Sequence, residues 1–502
     1  MTNKHLRFDS LRIVSLMLAL LITASAISCG STSDQDTDTS AEAQTSAPEE
    51  TTDGDPRKNA KDDLPALDYE GETIYVLSRG GDYDTNIEFN VDEENGDVVS
   101  DAVYNRNAMV EERLNLKIEN IVTDATRHNH NSDLIRQSIL AGSDDYNVIA
   151  DALHSTMPLV LENMFCDLNK LDYIDPSKPW WNQAFSELSM ISDGLYAITG
   201  QLSLTSISGV FCMFYNSDLF AEVSNDDIYQ VVNDGKWTID KLHEYCANSY
   251  RDLNGDTQYD QDDFYGLYVR NQQTLASDAF LGGARISAVE TDGDSFKLSV
   301  INERTVEYAE KLKSLIYDSE ATCRGEYNDD TIMHKMNNGT TVFLPWMLGA
   351  INDLREMEDN FGIIPIPKLN EEQSTYSSYT HNGSSVFAIP VTCQTPDRSA
   401  AFLEAMCAES YRSVVPAYYE TAIKVKYSRD EPTAQMLDLI IDNIYLDVAY
   451  LYSSYLGAYV GIYRDMFLNA ENCENIVSRL TAKESAMNVK LGEIVEKYKE
   501  LN

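Results

Sequence analysis

The sequence predicts an α/β fold in two lobes, with mostly parallel sheets flanked by helices, on three observations. At 502 residues, 43% of them hydrophobic, the chain is longer than a single core usually supports. Residues 72–151 alternate strand and helix patterns in the order β-α-β-α-β, which winds a right-handed, mostly parallel sheet. Residues 340–390 run strand, helix, strand, polar excursion, strand, and the rest of the chain is arranged around them.

In the first of these segments, Glu72 to Ser78 reads as a strand ending at Arg79-Gly80-Gly81. A helix follows with Val98, Ala102, Val103, Met109, Val110 and Leu114 on one face and Asp101 near its start. A strand over Lys117 to Val122, a helix over Leu134 to Leu140 and a strand over Tyr146 to Ala150 complete the unit. Ligands bind outside the carboxyl ends of such strands, which puts Arg79, Asp151 and His154 at a ligand edge.

Strand patterns over Leu195–Thr199 and Val210–Asn216 come next, then a helix opened by Thr238 as N-cap. Helices are expected over 275–281, 306–317 and 331–337. In the stretch around which the chain is arranged, an apolar run from Thr341 to Leu344 breaks at Pro345-Trp346, and helix spacing follows in Leu348, Ile351, Leu354 and Met357. Strands over Phe361–Ile366 and Ser385–Ile389 enclose a Tyr, Ser, Asn and Gly segment that includes Tyr379 and Asn382 and lies near a crossing between lobes. A short amphipathic helix over 399–406 and long helical patterns over 433–468 and 476–501 end the chain.

At the N-terminus, Lys4, Arg7 and Arg12 precede an apolar run from Ile13 to Ile27, a secretory signal too short for a stable membrane span. Its ending, Ser25-Ala26-Ile27-Ser28-Cys29-Gly30, resembles the lipobox of bacterial lipoproteins, which implies cleavage after residue 28 and lipidation of Cys29 by acyl chains such as palmitate. Residues 29–66 then form a lipidated start and a disordered acidic linker, too poor in large apolar side chains to fold.

The formal net charge is −44. The leader carries Lys4, Arg7 and Arg12 against Asp9, so the mature chain is near −46, a surface that repels nucleic acid. The seven cysteines besides Cys29 form no CxxC pair and several sit in apolar runs, as buried small hydrophobes do.

One loop carries metal chemistry in its spacing. Asp252, Asn254, Asp256, Gln258, Asp260 and Asp263 stand at positions one, three, five, seven, nine and twelve of an EF-hand-like loop, the oxygen-rich arrangement that Ca²⁺ needs. Thr257 replaces the glycine at position six and Asp263 the usual Glu at twelve. An acidic surface turn is the competing reading; a structural Ca²⁺ is the expectation.

Trp180, Trp181 and Trp346 with the amides and Tyr379 near them suit a sugar, whose C–H faces stack on aromatics while its hydroxyls bond carboxylates, amides and Arg. Core packing is the commoner role for any one of them, and for Trp237 above all. No GxSxG, HExxH, Walker or GxGxxG pattern occurs, so no enzyme is expected. Carboxylate pairs say nothing about glycosidase chemistry in so acidic a chain.

Three segments in order, Val210 to Phe220 (VFCMFYNSDLF), Gly235 to Leu242 leading into Asn254-Gly-Asp256 and Tyr265-Gly-Leu267, and Phe361 to Pro367 (FGIIPIP), resemble those of extracellular solute-binding proteins of family 1, the lipoprotein receptors of ABC importers. The resemblance covers Leu67 to the C-terminus. It implies a two-lobed periplasmic-binding-protein-like fold with a hinge: residues 67–176 and 385–430 as lobe one, 177–384 and 431–502 as lobe two. It also implies carbohydrate capture by closure, an ABC permease partner, and a monomer anchored on the extracytoplasmic face of the cell membrane. Arg79, Asp151 and His154 would then face Trp180, Trp181, Trp346 and Asn382 across the cleft. A peptide-binding receptor, in which Arg79 would pair a carboxylate, a tethered glycan-active hydrolase and a surface adhesin remain open at this point.

Overall fold

The computed structural model describes residues 56–80, 85–123, 130–247, 249–270, 275–292, 295–325, 332–354, 357–419, 431–457 and 459–501. The leader, Cys29, the linker up to residue 55 and Gly81 lie outside the described residues. The described strands are β1 (Glu72–Arg79), β2 (Leu116–Thr123), β3 (Val148–Ala152), β4 (Phe211–Asn216), β5 (Tyr265–Arg270), β6 (Val289–Asp292), β7 (Ser295–Leu298), β8 (Thr322–Gly325), β9 (Thr341–Met347), β10 (Phe361–Ile364) and β11 (Ser385–Ala388).

Two sheets organise the fold. The first has the order β11-β3-β1-β2 and the second β10-β4-β9-β5-β8, with β6 and β7 as a separate hairpin. Parallel pairing holds β1 to β2 and β3, and β5 to β8 and β9. The strands nearest the crossings are antiparallel: β11 on β3 (Phe387 opposite Ala150), β4 on β9 (Phe211 opposite Met347) and β10 on β4 (Phe361 opposite Asn216). The sheets are therefore mixed where mostly parallel ones were expected. A strand that returns from the other lobe enters from the opposite end, and that reverses its direction.

Local chemistry places most elements where periodicity put them. The helix Val98–Leu114 is capped by Asp97, whose side chain accepts from Val99 N and Ser100 N, and it closes at Asn115 with φ 47°. Thr238 caps Ile239–Cys246 by accepting from Lys241 N.

Four expectations fail, each for a physical reason. Pro345 does not end its strand: β9 runs on to Met347, and β5 pairs with β9 only at Thr341 and Phe343, so the missing N–H costs no ladder bond to β5. Leu195–Thr199 is extended but makes a single bridge, Ile198 to Phe387. The 433–468 pattern is split into Glu431–Asp442, Val448–Leu451 and Tyr459–Arg464, because Asp447 caps a new helix and Gly457 takes φ 70°. The linker gives way to packed chain by Pro56 rather than residue 67. There Asp62 is buried between Arg113 at 2.6 Å and Arg412 at 3.0 Å. Burial pushes its carboxyl group up, but the hydrogen bonds and charge of the two guanidiniums bring it down to about 2.

The core of the first sheet gathers Ile74, Val76, Val148 and Phe387 with Trp180, Trp181, Leu195, Ile198 and Leu202. The second sheet packs through Phe214, Phe343, Leu344 and Ile363, with the long helix Ile476–Leu501 in the same cluster. Two adjacent described segments cross between the sheets, Leu204 to Phe211 outward and Tyr379 to Ser385 back; a further passage, from Pro396–Glu409 on the first sheet to Glu431–Asp442 against β10, includes residues outside the described set. The first two lie side by side: His381 N donates to Gly209 O at 2.8 Å and Phe211 N to Tyr379 O at 3.0 Å.

Candidate functional site

A cavity of about 240 Å³ opens where the crossings meet the strand ends. Ile87 follows β1, Met347 ends β9, Gly349 and Ala350 belong to the turn after it, and Thr205 and His381 come from the two crossings. Both sheets and both crossings thus contribute to one wall system, as expected for the carboxyl edges of α/β sheets. A wider groove of about 430 Å³ lies on the other flank of Leu204–Ser208, lined among others by Asn182, Gln201, Tyr411, Tyr419, Asp438 and Asp442. It draws on neither the end of β1 nor the end of β9, so the smaller cavity is the better candidate.

His381 is buried, and its Nδ1 accepts from Gly383 N at 3.0 Å. Burial, with the charges of His154, Arg464 and Arg79, lowers its pKa to about 3, so it lines the cavity as a neutral ring. Behind it, Arg464 holds the buried carboxylate of Asp278 in a fork at 2.8 and 2.6 Å. Tyr450 ties that pair to the return crossing, donating within 3.3 Å of Asp278 Oδ2 and 3.2 Å of Thr380 O.

Of the expected site residues, Arg79, Asp151, His154 and Asn382 lie at the ends of β1 and β3 and on the return crossing, but none of them lines the cavity. Arg79 and Asp151 end β1 and β3, both buried; burial raises the Asp151 carboxyl to about 6 against the pull of Ala152 N–H, Arg79 and Asn131. His154 opens the helix Leu153–Val160. Its main-chain N–H donates to Asn382 O at 3.1 Å, and its Nδ1 lies 3.0 Å from the same oxygen. A carbonyl only accepts, so Nδ1 carries a proton, and Nε2 lies 3.2 Å from Ser155 Oγ.

Four others are placed elsewhere. Trp180 and Trp181 are packed in the first sheet's core with their Nε1 atoms on Glu404, because an indole that finds a buried acceptor gains more as core than at a wet rim. Trp346 is 9% exposed, with the Arg270 guanidinium 5.8 Å from its ring; strand alternation gives the cavity its neighbour Met347 instead. Tyr379 is buried against Tyr450 and Tyr445, ring centroids 4.3 and 5.7 Å away. The lining residues that sequence reasoning missed include Ile87, Thr205, Ser208, Met347, Ala350 and Ser384. The rule that strand ends face ligand could have found Met347.

At the acidic loop, side-chain oxygens are occupied by the loop's own main chain. Asp252 accepts from Gly255 N and Thr257 N, Asn254 from Asp256 N, Asp256 from Gln258 N and Asp260 from Asp262 N. Asp263 is taken by Leu253 N and Tyr250 OH. Among the described residues no group of three His, Cys, Asp or Glu converges to hold a metal ion.

Two mixed sheets joined by paired crossings, with a cavity at the joint, define a two-lobed binding protein. The chain belongs to the bacterial extracellular solute-binding protein family, whose model matches residues 131–412. No curated protein matches its sequence. Among solved structures, the galacto-N-biose/lacto-N-biose I-binding protein of an ABC transporter from Bifidobacterium longum is similar over 84% of this chain and 98% of its own, at 12% identity and a TM-score of 0.56. An ABC substrate-binding protein from Listeria monocytogenes in complex with cycloalternan is similar over 84% and 99%, at 12% identity and 0.52. The GacH receptor of Streptomyces glaucescens, solved unliganded and with acarbose, is similar over 86% and 98%, at 14% identity and 0.51. Among the described residues no helix is long and apolar enough to cross a membrane.

Proposed function

We propose that this chain is the solute-capturing component of an ABC importer, held on the extracytoplasmic face of the membrane by lipid at Cys29. It takes a carbohydrate into the cavity between the sheets, closes about the two crossings and presents it to a permease. The observation that carries this reading is the cavity itself, lined by residues that follow β1 and end β9 and by residues of the two described crossings, so that a solute filling it would touch both lobes. Its walls suit a sugar: Ile87, Met347 and Ala350 offer apolar surface, and Thr205, Ser208 and Ser384 offer hydroxyls. The similar structures with a saccharide in their names support the same class. The solute-binding family to which the chain belongs supports binding rather than turnover.

The test is a thermal-shift screen of the mature protein with mono- and oligosaccharides, amino acids and peptides, followed by Ala350→Trp on any hit. A saccharide that raises the melting temperature, with affinity lost in Ala350→Trp, supports the reading. Stabilisation by peptides alone, or unchanged affinity in the variant, overturns it.

A structural Ca²⁺ at Asp252–Asp263 is the second part of the proposal. Its support is Thr257, which takes φ 62° at the loop's sixth position while its N–H donates to Asp252 Oδ2 at 3.0 Å, the turn that glycine usually makes there.

A further inference from the structure

Glu88 stands in the turn after β1, fully buried, and takes no part in the solute contacts proposed above. Its Oε1 accepts from Thr205 N at 3.0 Å, Thr205 Oγ1 at 2.8 Å and Ser385 Oγ at 2.6 Å, and Oε2 accepts from Ser385 Oγ at 2.5 Å. Thr205 belongs to the outward crossing, and Ser385 ends the return crossing as β11 begins. The two are also joined directly, Ser385 N donating to Thr205 Oγ1 at 2.9 Å. Ile87, Thr205 and Ser384 line the cavity, so the carboxyl group lies just behind the wall on all three segments.

We propose that Glu88 is a positioning residue of the cavity, a carboxyl group that pins both crossings to the first lobe and sets the shape of the wall they present. Its meaning for solute capture rests on the reading of this cavity as the binding site; the pinning itself does not.

The charged surroundings give the pin a pH dependence. Arg106, from the helix Val98–Leu114, is buried beside it and donates to Glu88's main-chain carbonyl, to Asn107 Oδ1 and to Ser410 Oγ. Cys407 faces Arg106 from Pro396–Glu409. Arg79 and Asp151 end the two strands packed against the turn, while Leu204–Ser208 and β11 bring no titratable side chain. Burial raises the Glu88 carboxyl to about 7 against the pull of Ser385, Thr205 and Arg106. A carboxyl group that binds its proton more tightly when pinned than when released favours the pinned state at low pH. That advantage is full below the ordinary value of 4.5, shrinks as pH rises, and is gone above about 7.

Hydrogen–deuterium exchange of the ligand-free mature protein tests this between pH 4.5 and 8.5, after correction for intrinsic exchange. Peptides over residues 203–211 and 381–388 should lose protection by about tenfold per pH unit up to about pH 7 and then level off, and Glu88→Gln should flatten the profile. In Ser385→Ala one donor to the carboxylate is gone, so the levelling-off should move to higher pH; this variant also serves if Glu88→Gln fails to fold. The same profile in wild type and Glu88→Gln, or an unmoved plateau in Ser385→Ala, overturns the proposal. No saccharide is added, so a failure of the sugar reading leaves this result unaffected.

Discussion

The indole Nε1 of Trp181 donates to Oε2 of Glu404 at 2.8 Å, and Trp180 Nε1 lies 3.2 Å from the other oxygen. A single carboxyl group on the helix Pro396–Glu409 thus satisfies two adjacent buried indoles, and Asp175 N also reaches it at 3.4 Å. Truncating it strands both indole donors. Glu404→Ala should cost about 2–6 kcal/mol, from two buried donors at roughly 1–3 kcal/mol each, read by chemical denaturation. Glu404→Gln should cost less.

The pH dependence of stability follows from the same kind of group. Burial raises Glu404 to about 7 and Asp151 to about 6. A raised carboxyl pKa stabilises the fold below its unfolded value and ceases to do so as pH passes the folded one. Melting temperature should therefore fall between pH 5 and pH 7.5, and the fall should be shallower in Glu404→Gln. Asp62 acts with the opposite sign, its contribution fading only as pH drops from 3.8 towards 2. A flat wild-type profile would contradict this.

Arg464 and Asp278 form a buried fork beside the return crossing. Arg464→Met leaves an uncompensated buried carboxylate and should cost about 3–5 kcal/mol. Adding Asp278→Leu should recover part of the loss, since the unpaired charge is then removed; equilibrium unfolding of the two variants measures both effects.

Gly209 fits because nothing else does. A Cβ there would meet Thr205 O at 2.7 Å and Ser384 Oγ at 3.0 Å, contacts that main chain cannot relieve. Gly209→Ala should cost about 1–3 kcal/mol and weaken any solute bound in the cavity, whose wall includes this residue. Titration calorimetry beside a melting curve separates the two effects.

For the acidic loop, the mature protein in excess Ca²⁺ should melt at a higher temperature than in EGTA, and Asp252→Ala should abolish the difference. Identical melting in both solutions would leave the loop as a hydrogen-bonded turn.

Much of this fold was legible. The elements up to β3 showed themselves through apolar spacing, and the helix Ile239–Cys246 through a short-range signal, Thr238, whose N-cap partner is three residues away. The direction of the parallel strands located the ends of β1 and β3, where Arg79, Asp151 and His154 stand, but the cavity is lined by other residues. The tryptophans misled because an indole with a buried acceptor is as good a core residue as a stacking platform, and Glu404 lies 224 residues from Trp180. Glu88 was hidden for a related reason. Its partners are 117 and 297 residues away, and nothing in the local pattern marks a carboxylate that will be surrounded by hydroxyls.

The pairing of Phe387 with Ala150 also bears on how the protein is made. The first lobe's sheet lacks a strand until ribosomes have translated most of the second lobe, and pairing so distant in sequence forms slowly. A chain of an extracellular family must thread a translocation channel before it folds. Late arrival of β11 leaves the early strands without a finished sheet, and so keeps the nascent chain loose for longer on its way out.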